Sequence, residues 1–155
     1  MKIPLILTAA LIILDQLTKH LADAFISYGS SIKIIPFFDF FNLTNVRNTG
    51  VAFSMFQNKN FFFTVFTVIF LAAIAFWLYK NREKITTLQK YAFSLILAGG
   101  FGNLIDRIFR GAVIDFLDFG INTLRWPAFN IADSCVCIAA GLVFVEIITE
   151  RASKK

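Results

Sequence analysis

Four apolar stretches divide this chain, and the polar residues between and beside them decide how each is read. The longest, "FFFTVFTVIFLAAIAFWLY" at 61–79, runs 19 residues without a charge. At about 1.5 Å per residue that crosses a hydrocarbon core of about 30 Å. It ends in Trp77 and Tyr79 followed by Lys80, the aromatic-then-basic order of a membrane interface. The other runs, 3–14, 91–105 and 134–145, are shorter, and by length alone they also suit buried helices of a soluble protein. They reach spanning length only when extended through polar residues, giving spans of about 3–25, 61–79, 91–110 and 128–149. The extensions take in Asp15, Gln16 and Lys19 in the first, Asn103, Asp106, Arg107 and Arg110 in the third, and Asn130 and Asp133 in the fourth.

Residues 31–57, between the first two spans, are rich in Ile, Phe, Thr and Val and broken by Pro36 and Asn48-Thr49-Gly50. That pattern predicts short strands and turns. The expected fold is a mainly α membrane protein of four transmembrane helices, with a small extracytoplasmic β-element between helices one and two.

Composition strengthens the membrane reading. Of 155 residues, 57% are hydrophobic and 20 are Phe, more apolar surface than a soluble domain of this size can bury. No internal repeat, low-complexity run or Ser/Gly/Pro-rich linker divides the chain, so residues 1–155 are read as a single integral-membrane domain.

Charge then sets orientation. "KNREKITTLQK" at 80–90 carries four Lys/Arg, and Lys2, Arg151, Lys154 and Lys155 bring the terminal segments and this connection to eight of the 15 basic residues. The positive-inside bias makes those three segments cytoplasmic. The spans alternate in direction, so the polar ends of spans one, three and four meet near the outer leaflet. The net charge of +5 does not suggest nucleic acid, because the basic residues form no single face interleaved with stacking aromatics. A cleaved signal peptide ending at "LADA" (21–24) is the competing reading of the N-terminus. It would place Asp15 and Lys19 inside the leader and put the termini on opposite sides of the membrane.

The candidate chemistry lies in those polar ends. Ionisable groups within membrane segments are costly and functional by default, but each has a structural alternative. Asp15 and Lys19 are four apart, acid first, which suits an ion pair orienting span one, with Lys19 also able to snorkel to the headgroups. Asp106 and Arg110 suit a pair at an exposed helix end, closed by Gly111. Asn103 and Arg107 either form a second such pair or bind a carbonyl or lipid phosphate. Asn130 followed by Asp133 resembles a capping box at a helix start, while Asp115 and Asp118 read locally as loop acids.

A facing pair of carboxylates adds a catalytic possibility. Sharing one proton, one acid can activate water while the other protonates the oxyanion or leaving amine. The lone His20 gives neither a Ser/His/Asp site nor a zinc site. Cys135 and Cys137 would point about 200° apart on a helix and cannot bridge. The alternatives are a small ion-coupled carrier, which would hold its acids near the membrane midplane, and a noncatalytic membrane subunit.

Five stretches occur in order along the chain: "DQLTK" at 15–19, "NTGVAFS" at 48–54, "GNLIDR" at 102–107, "VIDF" at 113–116 and "FNIADS" at 129–134. With them the chain resembles the lipoprotein signal peptidases (signal peptidase II) over nearly its whole length. One stretch departs slightly, with Ala98, Gly99 and Gly100 where the family usually reads Gly-Gly-Ala. The resemblance implies an aspartic endopeptidase of the bacterial inner membrane, working near the outer leaflet without metal or cofactor. Its substrates would be diacylglyceryl-modified prolipoproteins, cut just before the lipidated cysteine. The catalytic pair would be Asp115 and Asp133. Apart from the resemblance, a helix N-terminus beside Asp133 favours its anion, which would make Asp133 the base and Asp115 the proton donor. Asn48, Asn103, Arg107 and Asn130 would contact substrate or hold the pair. Asp15, Lys19, Gly50 and Asp106 would be structural supports, and Asp118 a bystander. The outer β-element would be the cradle that shapes the substrate groove. A monomer surrounded by phospholipid, inhibited by peptide antibiotics of the globomycin type, is also expected.

Overall fold

A computed structural model describes residues 2–35, 39–50 and 56–153. Helices α1 (Lys2–Phe25), α2 (Asn60–Asn81), α3 (Thr87–Phe109) and α4 (Ile131–Ser153) are each long and apolar enough to cross a membrane. Strands β1 (Ser31–Lys33), β2 (Phe41–Asn48), β3 (Val113–Ile121) and β4 (Leu124–Arg125) form one antiparallel sheet in chain order.

Helix α3 is the centre of the bundle and packs against each of the other three. Lipid tails are as apolar as the side chains, so helices associate here by close approach rather than by escape from water. The stretch Ala98-Gly99-Gly100 followed by Gly102 provides that approach on three sides. A Cβ on Gly99 would lie 2.4 Å from the Ala132 carbonyl oxygen of α4, one on Gly100 would lie 2.6 Å from Leu71 of α2, and one on Gly102 would lie 2.6 Å from the Asp15 carboxylate of α1. By contrast α2 is apolar on every face and buries only Leu71. Its Phe62, Phe66 and Phe70 stack along an exposed side, the habit of a helix facing lipid.

At the start of α3, Thr86 and Gln89 form a reciprocal capping box. The Thr86 hydroxyl also donates to the buried Glu146 carboxylate of α4 at 2.6 Å. This bond fastens α3 to α4 at the end of the bundle away from the sheet.

The sheet departs from the sequence expectation in one respect. Among the described residues, only β1 and β2 lie between α1 and α2; β3 and β4 come from residues 113–125, read above as a loop. Asp115 and Asp118 interrupt the apolar run of "VIDFLDFGI", which hides a strand whose first four residues are all buried. Gly111, in the left-handed region at φ +73°, turns the chain from α3 into β3 within a few residues. The β2–β3 ladder pairs Asn48 with Val113 and Val46 with Asp115, with an irregularity between Leu43 and Val46. Asn45 ties β2 to the end of α1, its side-chain amide donating to the Ile26 carbonyl at 2.8 Å and to Asp23 at 3.0 Å.

The packing of α3 on α4 gives a test. Gly99→Ala puts a methyl against backbone that cannot swing aside, an overpacking cost of about 1–3 kcal/mol, so the melting temperature of the detergent-solubilised protein falls. Gly141→Ala, where nothing lies within 4 Å, leaves it unchanged or slightly raised.

Candidate active site

The polar ends of α1, α3 and α4 and the start of β3 converge on one ammonium. Lys19 has no exposed surface and ion-pairs with Asp15 Oδ2 and Asp106 Oδ2, each at 2.9 Å. Its third partner is Asn103 Oδ1, also at 2.9 Å. Asp15 Oδ1 accepts the Ala132 amide at 2.8 Å, and Asp106 Oδ2 accepts the Ile114 amide at 3.2 Å. Arg110 pairs with Asp106 and donates to Gln16 Oε1 at 3.1 Å. The Gln16 amide group donates to the Gly102 carbonyl at 3.0 Å.

Three local readings of the sequence change here. Lys19 does not reach toward headgroups, because two carboxylates and an amide oxygen hold it inside. Asp106 and Arg110 do form a pair, but Asp106 is fully buried rather than part of an exposed helix end. Asn103 does not make a second local pair with Arg107: its oxygen holds Lys19 and one hydrogen of its amide group goes to Asp133 Oδ1 at 2.8 Å.

Asp115 and Asp133 are joined through Asn130, which has no exposed surface. Asn130 caps α4: its Oδ1 accepts the Asp133 amide at 2.9 Å, and its own backbone amide donates to Asp133 Oδ2 at 3.2 Å. The same side chain donates from Nδ2 to Asp115 Oδ1 at 2.7 Å. Helix cap and carboxylate pair are therefore one construction, and the two readings of Asp133 do not compete. Asn48 donates to Asp115 Oδ2 at 3.1 Å while its Oδ1 accepts the Gly50 amide at 2.9 Å. Arg107 donates to the Gly50 carbonyl at 3.3 Å, and its Nε is buried without a partner among the described residues. Asp118 is turned to other work, held by Arg125 at 2.8 Å, which also pairs with Asp39 at 3.3 Å.

Burial pushes the Asp115 carboxyl up to about 7, and the charge of Asp133 pushes in the same direction. Hydrogen bonds from Asn48 and Asn130, and the Lys19 ammonium, pull it part of the way back. A carboxyl so placed keeps its proton to near neutrality.

Both acids open onto a groove of about 700 Å³. Asn48, Asn103 and Arg107 line its polar side, while Val113, Trp126, Phe129 and Ile138 wall the rest. Among the described residues no group of three or more His, Cys, Asp or Glu is arranged to hold a metal ion. The sequence reading gave no role to Gln16 or to the Trp126 wall. Gln16 sits within "DQLTK", but besides Asp15 next to it its partners are Gly102, Asp106 and Arg110 at the end of α3, 86 or more positions away, and nothing local marks Trp126.

Four spanning helices with a carboxylate pair, Asp115 buried and Asp133 partly so, opening on a largely apolar groove define a class, the multi-span membrane enzymes equipped for aspartic chemistry. The chain belongs to the signal peptidase II family: the family model described as "Signal peptidase (SPase) II" matches residues 7–149. It is 41% identical over 145 residues to a lipoprotein signal peptidase of Alteromonas mediterranea, covering 91% of this chain and 78% of the relative. It is 40% identical over 149 residues to one of Geobacter metallireducens, covering 94% and 90%. A solved bacterial membrane enzyme structure superposes with a TM-score of 0.90 at 33% identity, covering 100% of this chain and 93% of that one.

The electrostatics of the site can be checked directly. In infrared spectra the neutral carboxyl band lost in Asp115→Asn titrates away with a midpoint near pH 7. Asn48→Leu removes a donor to the ionised form, so it moves that midpoint upward; a midpoint near the ordinary value of about 4 would contradict the burial argument.

Proposed function

We propose that this chain is an intramembrane aspartic endopeptidase that removes the signal peptide of diacylglyceryl-modified prolipoproteins, cutting just before the lipidated cysteine. The observation that carries the reading is the Asn130 bridge, which ties two carboxylates together in a largely apolar groove. Asp115 and Asp133 are the catalytic pair. Asn48 and Arg107 contact substrate, Asn103 and Asn130 hold the pair, and Asp15, Lys19, Gly50 and Asp106 support it.

The chemistry follows from the different surroundings of the two acids. Asp133 accepts amide donors on both oxygens and lies in the first turn of α4, where a negative charge is favoured. It is the base: it takes a proton from water as the water oxygen bonds to the scissile carbonyl carbon. Asp115, protonated to near pH 7, gives its proton to the carbonyl oxygen. On collapse the C–N bond breaks, Asp133 returns its proton to the leaving nitrogen, and Asp115 recovers one from the tetrahedral intermediate. The new carboxyl and the new amine are then complete.

The basic connection at 80–90 and the basic termini assign their side of the membrane to the cytoplasm. The sheet and groove then lie at the outer leaflet of the bacterial inner membrane, within reach of a signal helix that arrives laterally through lipid. The chain works as one domain and as a monomer, with phospholipid around it. Peptide antibiotics of the globomycin type are expected to compete for the groove.

The deciding experiment expresses Asp115→Asn and Asp133→Asn in cells depleted of their own signal peptidase II. Loss of either acid lowers the rate by about 10³-fold, and lipid-modified, unprocessed prolipoprotein accumulates. Normal processing by either variant would sink the dyad.

A further inference from the structure

Three amides face the two acids, and each has a fixed direction. A primary amide can turn over, exchanging its donor end for its acceptor end, unless the oxygen is held by a group that can only donate. Asn130 is held by the Asp133 backbone amide on its Oδ1, and Asn48 is held by the Gly50 amide on its Oδ1. Asn103 is held differently. Its oxygen faces the Lys19 ammonium at 2.9 Å and, less closely, Asn130 Nδ2 at 3.3 Å. An ammonium carries three donors and no acceptor, so Asn103 must present its NH₂ to Asp133. Of the three locks this is the only one made chiefly by a side chain.

The same ammonium bridges the two carboxylates that grip backbone on either side of the pair. Asp15 holds the amide of Ala132, the residue before Asp133, and Asp106 holds the amide of Ile114, the residue before Asp115. Lys19 does not line the groove and has no exposed surface, so it cannot touch substrate.

We infer that Lys19 is a positioning residue for catalysis, which acts through Asn103 by fixing the direction of that amide so that Asp133 Oδ1 always faces a donor and, before water attacks, the shared proton of the dyad rests on Asp115. The inference rests on the dyad reading and deepens it, assigning the working proton to Asp115 through a chain of obligatory donors. The charged groups around Asp133 are Lys19 and Asp15 from α1, Arg107 from α3 and Asp115 from β3. Loss of the amide donor, or of the ammonium that orients it, makes the Asp133 anion easier to protonate. The acid limb of the rate profile therefore moves to higher pH.

The test is a double-mutant cycle on the full-length protein in phospholipid vesicles, with a diacylglyceryl-modified prolipoprotein as substrate. Asn103→Leu lowers kcat by about 10-fold or more and raises the acid limb of kcat by about one pH unit, with KM changed less than about twofold. Lys19→Gln, whose amide can offer either end to Asn103, gives the same limb shift. The double variant is no worse than Asn103→Leu alone. A purely structural lysine predicts otherwise: losses that multiply in the double variant, or a wild-type limb in Lys19→Gln, would overturn the inference. If Lys19→Gln does not fold, Lys19→Arg decides, because a guanidinium also only donates. It keeps the wild-type limb, and a limb displaced as far as in Asn103→Leu refutes the lock. Asp115→Asn and Asp133→Asn, run alongside, separate the failures: activity in those variants removes the dyad itself, whereas inactivity there with an additive cycle removes only the role of Lys19.

Discussion

A cation taken out of water is tolerable only when its partners surround it, and here one ammonium is surrounded by three. Desolvating a lysine and two carboxylates costs several kcal/mol per ion. The pairs at 2.9 Å on either side of Lys19 offset that cost only while α1 and α3 stay in register. The remaining lone pairs are not wasted: those of Asp15 and Asp106 accept backbone amides from α4 and β3. Four segments, α1, α3, β3 and α4, are thereby referred to a single point. Removing one member leaves buried charge without a partner, which is why such a cluster specifies its geometry more strongly than apolar packing in lipid does.

Around that point the construction uses few kinds of part. Glycines on α3 bring its backbone against three neighbours, asparagines carry hydrogen bonds between the polar clusters, and the sheet continues β3 outward from the site. The asparagines suit the work because each offers an acceptor and two donors in one plane. Asn130 uses both ends at once, closing the first turn of α4 and holding Asp115. The boundary between helix capping and active-site architecture disappears at that residue.

Much of this was legible in the sequence, for reasons that differ from element to element. The run at 61–79 announces a membrane helix because nothing polar interrupts it, and α2 has few specific contacts to make. The convergence of the other polar helix ends follows from counting crossings and basic residues. The naming of Asp115 and Asp133 came from the family motifs rather than from local physics, which reads Asp133 as a cap. What stayed hidden is what depends on distant partners. Lys19 reads as a residue able to snorkel until Asp106 and Asn103, more than 80 positions away, are brought beside it. Asp106 reads as half of a local pair until it accepts the Ile114 amide. Strand β3 was concealed because its acids break the apolar pattern that marks a buried strand, and those acids are there for their contacts with Asn48, Asn130 and Arg125.

The bond between Thr86 and Glu146 gives this arrangement a mechanical property. Helices α3 and α4 are clasped at one end by that hydroxyl and carboxylate and at the other by the polar cluster, with Gly99 of α3 pressed on the Ala132 carbonyl and Val136 of α4 between. A pair of rods pinned at both ends resists shear, whereas α2 buries only Leu71 and packs on α3 through the Asn60 amide on the Arg107 carbonyl and Trp77 on Phe93. When the surrounding bilayer thins or thickens, hydrophobic mismatch acts first on the lipid-facing side chains, and the double clasp of α3 on α4 holds the helix that carries Asp133 in place against it.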